Sequence, residues 1–198
     1  MEIELHIEEL ETERRWNRLQ WFQQEFRPPH GTILGRFLSF RSDQTFVWLH
    51  GFRDREERLA SHEHPPSDAF VVQSTVRTLT PAIGSTITEL DDFARIAESP
   101  LLELRQYRLA PGTRARFATF LRDRTLDAQV RCGMVVYGPF DCLEDDDLLV
   151  WFRGFPNLLE RDRRKADFYQ GAYWLNELQD EAFTMIADYS NVILVTPV

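Results

Sequence analysis

The sequence predicts an α+β fold in which two copies of one β-α-β-β-α-β unit close into a barrel within a single chain. Three observations carry this reading. Phe46-Val47-Trp48-Leu49-His50-Gly51-Phe52 and Leu149-Val150-Trp151-Phe152-Arg153-Gly154-Phe155 share one pattern, 103 positions apart. The segments flanking the two runs agree in order and in type. Each half then ends in a β-like run closed by Thr-Pro, at Thr80-Pro81 and at Thr196-Pro197.

Each element has its own signal. Strands open the halves at Ile3 to Glu8 and Leu102 to Leu109. In the first half Trp16, Leu19, Phe22 and Phe26 recur at steps of three and four, which predicts a helix. Phe117, Phe120, Leu121 and Arg124 do the same in the second, after a Pro111-Gly112-Thr113 start and cap. Thr32 to Phe40 and Gly133 to Phe140 are rich in β-formers, and each leads through a polar turn into its tryptophan run. Both read as hairpins. Charged helical stretches follow from Arg53 and from Pro156, the second with a longer tail from Asp162 to Asp188. The closing strands are Ser74 to Pro81 and Asn191 to Pro197. Residues 1–81 and 101–198 are thus each expected to form a ferredoxin-like unit, with 82–100 as linker and a short helix at Asp91 to Glu98. Such a unit covers one sheet face with its helices and leaves the other bare. Two units in one chain bury their bare faces on each other, as an intramolecular pseudo-dimeric α+β barrel.

The 198 residues are 43% hydrophobic and 28% charged, which is ordinary globular composition and argues against long disorder. A formal charge of −9 argues against a general nucleic-acid partner, which needs a basic footprint. No apolar run reaches the length of a membrane span, so no membrane association is expected. The acidic opening Met1 to His6 carries neither a basic n-region nor an apolar h-region. A cytoplasmic protein is therefore expected, with reduced Cys132 and Cys142; a hairpin disulfide is the minor alternative. The intramolecular pairing of sheets leaves monomer or dimer open.

Glu103-Leu104-Arg105-Gln106-Tyr107-Arg108-Leu109-Ala110-Pro111-Gly112 resembles the opening strand of the NIPSNAP family, in the dimeric α+β barrel superfamily. The run 149–152 and Phe168-Tyr169-Gln170-Gly171-Ala172-Tyr173-Trp174 fit as well, so the resemblance spans about residues 102 to 198. In the first half Glu4-Leu5-His6 stands where Glu103-Leu104-Arg105 stands, but Glu8 takes the tyrosine position and no Pro-Gly follows. The resemblance implies a ligand site between sheet and helices. Similar proteins include cofactor-free monooxygenases, haem-handling enzymes and aldoxime dehydratases.

Strand alternation puts Glu103, Arg105 and Tyr107 on one face, opposite Leu102, Leu104 and Gln106. A guanidinium there can hold a carboxylate or a developing oxyanion, and a phenol can give up a proton. The plainer alternative is an ion-paired sheet row. Trp151 with Arg153, and Trp48 with His50, set a flat apolar surface beside a basic group. That suits a planar, acidic or aromatic ligand; packed core tryptophans are the alternative. Catalytic roles are assigned to Arg105, Tyr107 and His50, and ligand contacts to Trp48, Trp151, Arg153 and Glu103. His62-Glu63-His64 lacks a third ligand and reads as a solvated loop, so no metal is expected, and no cofactor. The acidic run 144–147 reads as a solvated turn, and the basic run 161–165 as an outer helix face. There is no GxGxxG, P-loop or GxSxG. Two functional classes remain: a small-molecule barrel, binding or cofactor-free enzyme, and a non-catalytic scaffold. A polar-lined cavity of roughly 300 Å³ or more favours the first.

Overall fold

A computed structural model describes residues 1–63 and 70–198. The first half runs β1 (Glu2–Leu10), α1 (Arg15–Gln24), β2 (Thr32–Ser39), β3 (Thr45–Phe52), α2 (Arg55–Ser61) and β4 (Val71–Pro81). A 3₁₀ helix, Leu90–Glu98, links it to β5 (Leu101–Leu109). Then come α3 (Arg114–Phe120), a π turn (Leu121–Thr125), α4 (Leu126–Arg131), β6 (Val135–Cys142), β7 (Leu148–Phe155) and α5 (Leu158–Tyr169). A second π turn (Trp174–Leu178), α6 (Gln179–Met185), a short β8 (Ile186–Asp188) and β9 (Val192–Pro197) complete the chain.

The halves pair their strands in the same order, β4-β1-β3-β2 and β9-β5-β7-β6. Two seams join them. β2 meets β9 through Phe37–Pro197, Leu38–Thr196 and Ser39–Val195. β4 meets β6 through Leu79–Cys142, Thr80–Asp141 and Pro81–Phe140. With β5 paired to β7, eight antiparallel strands close into a barrel, as the sequence predicts, and β8 adds a short pairing at the end of β5. Closure removes the sheet edges that would otherwise invite aggregation.

Alternation decides which side chains fill the barrel. Ile3, Leu5, Val47, Leu49, Leu102, Leu104, Val150 and Phe152 form one buried cluster with Phe37, Phe140 and Val195. The interior is therefore packed with apolar side chains. The residues between them on each strand face outward, under the helices. The linker closes one flank of the barrel, which explains the glycine of the repeated motif. A Cβ at Gly51 would lie 2.7 Å from Leu90, and one at Gly154 would collide with Ser99.

Three local expectations are corrected. Trp16 is exposed, and α1 ends before Phe26; Arg18 takes the buried position because Glu8 lies beneath it. Thr113 precedes α3 but does not cap it, since its hydroxyl donates to the carbonyls of Ala110 and Met185. The acidic run 144–147 is not simply solvated. Glu144 accepts the Thr78 amide, and Asp145 pairs with Arg108.

Because Leu104 is fully buried at the centre of the barrel, Leu104→Ala should cost about 2–5 kcal/mol. Denaturant unfolding measures it. A cost near zero would mean that the barrel interior is loosely filled.

Candidate functional site

The register of the two opening strands sets the chemistry. Glu4 lies opposite His50 on β3, and Glu103 opposite Arg153 on β7. His6 pairs with Trp48 as Arg105 pairs with Trp151. Each half thus places a glutamate, a basic residue and a tryptophan on the outer sheet face, beneath a helix. The helices are fixed by the same device. Asp54 accepts the Glu57 amide at the start of α2, and Asn157 accepts the Glu160 amide at the start of α5.

In the second half α5 delivers two cations one turn apart. Arg161 Nε donates to Glu103 Oε1 at 2.6 Å, and Lys165 Nζ reaches the same oxygen at 3.1 Å. From the sheet, Arg105 Nη1 donates to Glu103 Oε2 at 2.6 Å, and Arg153 Nη1 stands 3.9 Å away. Burial alone would raise the Glu103 carboxyl, yet Arg105, Arg153, Lys165 and Arg161 bring it down to about 2. One more turn along α5, partly buried Tyr169 receives a hydrogen bond from Arg153 Nη2 at 2.8 Å. Burial opposes ionisation of that phenol, but Arg153 and Arg105 outweigh it and pull it below its usual range. Lys165 is pushed down by burial, which the attraction of Glu103 offsets only in part.

The charges do not balance. Only Glu103, and Asp162 through a contact to Arg161, face the four cations among the described residues. Nε of Arg105, and Nε and Nη1 of Arg153, are buried without a hydrogen-bond partner among the described residues. Unpaired donors of this kind call for an explanation. Both arginines line a cavity of about 390 Å³ between the sheet and the helices. Its walls are apolar, with Phe117, Phe120, Trp174, Phe183 and Ile186. Two π turns shape it. The Leu126 amide reaches back to the Leu121 carbonyl, and the Gln179 amide to that of Trp174. The extra residue in each turn re-aims the helix beyond it, a device frequent at functional sites. Thr125 and Gln129, at and just after the first turn, and Trp174, at the start of the second, line the cavity.

The first half holds a cavity of about 440 Å³ in the matching place, with different chemistry. Burial alone would raise Glu4, but hydrogen bonds from His6 and His62 bring it to about 2. Arg58 on α2 adds a contact and also pairs with Glu2. Glu8 replaces Tyr107, and Arg18 on α1 binds it at 2.6 and 2.9 Å. Trp48 donates to Glu8 at 2.9 Å, whereas the Trp151 indole N–H finds no partner among the described residues. His50 is pushed down by burial, and its ring bonds the His30 carbonyl at 2.8 Å. Here the charged groups satisfy one another.

The structure therefore divides the residues singled out in sequence. Arg105, Tyr107 and Arg153 line the second-half cavity, whereas Glu103 and Trp151, expected as ligand contacts, are buried behind it and do not line it; Trp48 and His50 line the first-half cavity. A single group of Arg105, Tyr107 and His50 does not form, because the two tryptophan strands carry their outer faces to different cavities. The Tyr107 hydroxyl accepts from Arg105 and so serves to orient that guanidinium. The basic run 161–165 is not wholly an outer face. Arg163 pairs with Glu160 and Asp167, but Arg161 and Lys165 turn inward. Their spacing with Tyr169 of four and four was the available signal. His62 is solvent-exposed as expected, at the end of α2, but its ring also donates to Glu4 at 2.6 Å; His64 lies outside the described residues. Cys132 and Cys142 are free thiols that burial pushes up, which disfavours them as nucleophiles. Among the described residues no cluster suits a metal ion, and no helix is long and apolar enough to cross a membrane.

No family model matches the sequence, and a search of curated proteins returns no relative. Solved structures are similar in fold. A provisionally named monooxygenase from Lactobacillus acidophilus matches 99% of this chain and 93% of its own, with a TM-score of 0.65 at 9% identity. A provisionally named chlorite dismutase matches 100% and 95%, with a TM-score of 0.59 at 13% identity. An uncharacterised NIPSNAP-like domain protein from Burkholderia xenovorans matches 50% of this chain and 84% of its own, with a TM-score of 0.46 at 19% identity. The full-length likenesses show the α+β barrel fold.

The buried carboxylates also set the acid limit of the protein. Glu4 and Glu103 are held near 2 against an ordinary 4.5. As pH falls the unfolded chain takes up their protons first, so their stabilisation is complete above about 4.5 and is lost towards 2. Glu103→Gln should cost about 3–5 kcal/mol at pH 7, because it strands buried cations. Urea unfolding from pH 7 to pH 2 should show the gap to the unsubstituted protein closing in that window. A gap independent of pH would mean that Glu103 is not ionised in the folded state.

Proposed function

We propose that the second-half cavity binds a small aromatic carboxylic acid, with the carboxylate on Arg105 and Arg153 and the ring between the aromatic walls. The observation that carries this is the surplus of buried, incompletely paired guanidinium groups on the floor of an apolar cavity. A buried cation without its anion is costly, and a bound carboxylate supplies the missing partner with charge-assisted hydrogen bonds. A guanidinium does this better than an ammonium, because its fork matches the two carboxylate oxygens. The cavity of about 390 Å³ meets the size expected of a ligand-binding barrel, with its polar groups confined to the floor; the first-half cavity of about 440 Å³ meets it too, so charge and not size favours the second half.

The same floor can stabilise negative charge that develops on a bound ligand, as an enolate or phenolate. Tyr169, held by Arg153, is placed to keep or release a proton beside it. Cofactor-free chemistry of the kind named for a monooxygenase neighbour is compatible with these residues. Haem fits them poorly. None of the residues lining this cavity is His, Cys or Met; of its three tyrosines, Tyr107 and Tyr169 are tied to Arg105 and Arg153, and Tyr189 stands exposed at its edge. In the first half the charged groups of the cavity already have their partners, so we assign the binding role to the second half alone. We read residues 1–81 and 101–198 as two copies of one unit, joined by residues 82–100, of which only the second keeps the surplus charge.

A thermal-shift screen of substituted benzoates and phenylacetates tests the assignment. At a hundredfold excess over Kd, binding should add about 2.7 kcal/mol. That raises Tm by about 5–10 °C in a domain of this size. Arg105→Lys should weaken the best ligand by about 1.5–3 kcal/mol. Arg153→Met should abolish the shift while lowering the ligand-free Tm little, since it relieves cation–cation repulsion. A lowered ligand-free Tm with unchanged affinity would make these arginines structural ion-pair members and defeat the proposal.

A further inference from the structure

One polar group in the cavity has no part in the anion floor. Gln129, on α4, is 2% exposed and lines both the cavity and a void of about 10 Å³ beside Trp151, too small for a ligand group; its Oε1 is buried with no donor among the described residues. The orientation of its amide is fixed by a neighbour. Thr125 sits four residues earlier, and its hydroxyl donates to the Leu121 carbonyl at 3.0 Å within the π turn. The Thr125 oxygen is then free to accept, and Gln129 Nε2 donates to it at 3.0 Å. This chain of donors runs one way, so the carbonyl end of the amide is the end left over. A buried amide oxygen without a donor is costly, and buried polar groups in folded proteins are almost always paired.

The arrangement has a consequence for what enters the cavity. Arg105 and Arg153 ask for an acceptor, whereas Gln129 asks for a donor. A plain aromatic acid satisfies the first and leaves the second unpaired. An acid that also carries a hydroxyl or amino group away from its carboxylate satisfies both.

We propose that Gln129 makes the site selective for aromatic acids bearing a second, hydrogen-bond-donating substituent, which donates to Gln129 Oε1. This rests on the anion-floor reading above and adds a second contact to it.

The test uses matched pairs. Calorimetry compares 3- and 4-hydroxybenzoate and 4-hydroxyphenylacetate with their fluoro counterparts, which are similar in size but cannot donate. In the unsubstituted protein the best hydroxy acid should bind about tenfold tighter than its fluoro twin, as one satisfied buried hydrogen bond implies. Gln129→Met keeps the volume and removes the acceptor, so the ratio should fall to near one while the fluoro acid binds as before. Thr125→Val gives a second route should the first variant fold poorly. It frees the amide to turn its N–H outward, and the preference for the hydroxy acid should shrink or reverse. Equal binding of hydroxy and fluoro acids, or a preference that survives Gln129→Met, would overturn the role of Gln129 and leave the anion floor standing. Failure of every acid in the panel to bind would overturn both. A loss of Tm in Gln129→Met with no change in the ligand ratio would mean that Gln129 serves packing alone.

Discussion

A carboxylate buried on the outer face of each opening strand is the constraint on which the arrangement depends. Glu4 and Glu103 sit where a helix crosses the sheet, and neither can stay ionised there without cations. The helices supply them from matching places, Arg58 on α2 with His62 just beyond its end, and Arg161 and Lys165 on α5. The barrel interior holds the strands together through apolar packing. The glutamates do a different job, which is to fix the height and rotation of each helix over its strand. That in turn sets the shape of the space beneath.

What distinguishes the halves is how far the cations exceed the need. In the first half the partners of Glu4 include two histidines, and Glu8 pairs with Arg18 and also accepts from Trp48. In the second half the corresponding places hold Arg105, Arg153 and Lys165, and Tyr107 and Phe117 replace the Glu8–Arg18 pair with an aromatic contact. Losing the Glu8–Arg18 pair removes one charge of each sign, so the surplus comes from the permanent cations Arg105, Arg153 and Lys165, which stand where the first half has His6, His50 and His62. One cavity is left electrostatically settled, and the other short of an anion.

The barrel was legible in the sequence because its causes are periodic. Alternation on Leu102, Leu104, Val150 and Phe152 follows from closing a sheet around an apolar interior, and the two tryptophan strands take matching places in it. The floor of the site was legible in part. Glu103, Arg105 and Arg153 stand out on short strands of fixed alternation. Arg161, Lys165 and Tyr169 were hidden inside a charged helix, where a solvated face and an inward face look alike until the strand beneath is known. Gln129 gave no signal, since its position depends on a π turn that no local spacing announces. The grouping of His50 with Arg105 failed for a topological reason. Matching positions in the two halves need not share a cavity, and here the barrel separates them.

The central claim is that the second half alone carries an unmet demand for an anion. A crystal structure of the protein soaked with 4-bromobenzoate tests it most directly, because bromine locates the ligand by anomalous scattering. The account predicts bromine in the second-half cavity alone, with the carboxylate within hydrogen-bond distance of Arg105 and Arg153. Bromine in the first-half cavity, in both cavities alike, or with its carboxylate turned away from the two arginines would contradict it.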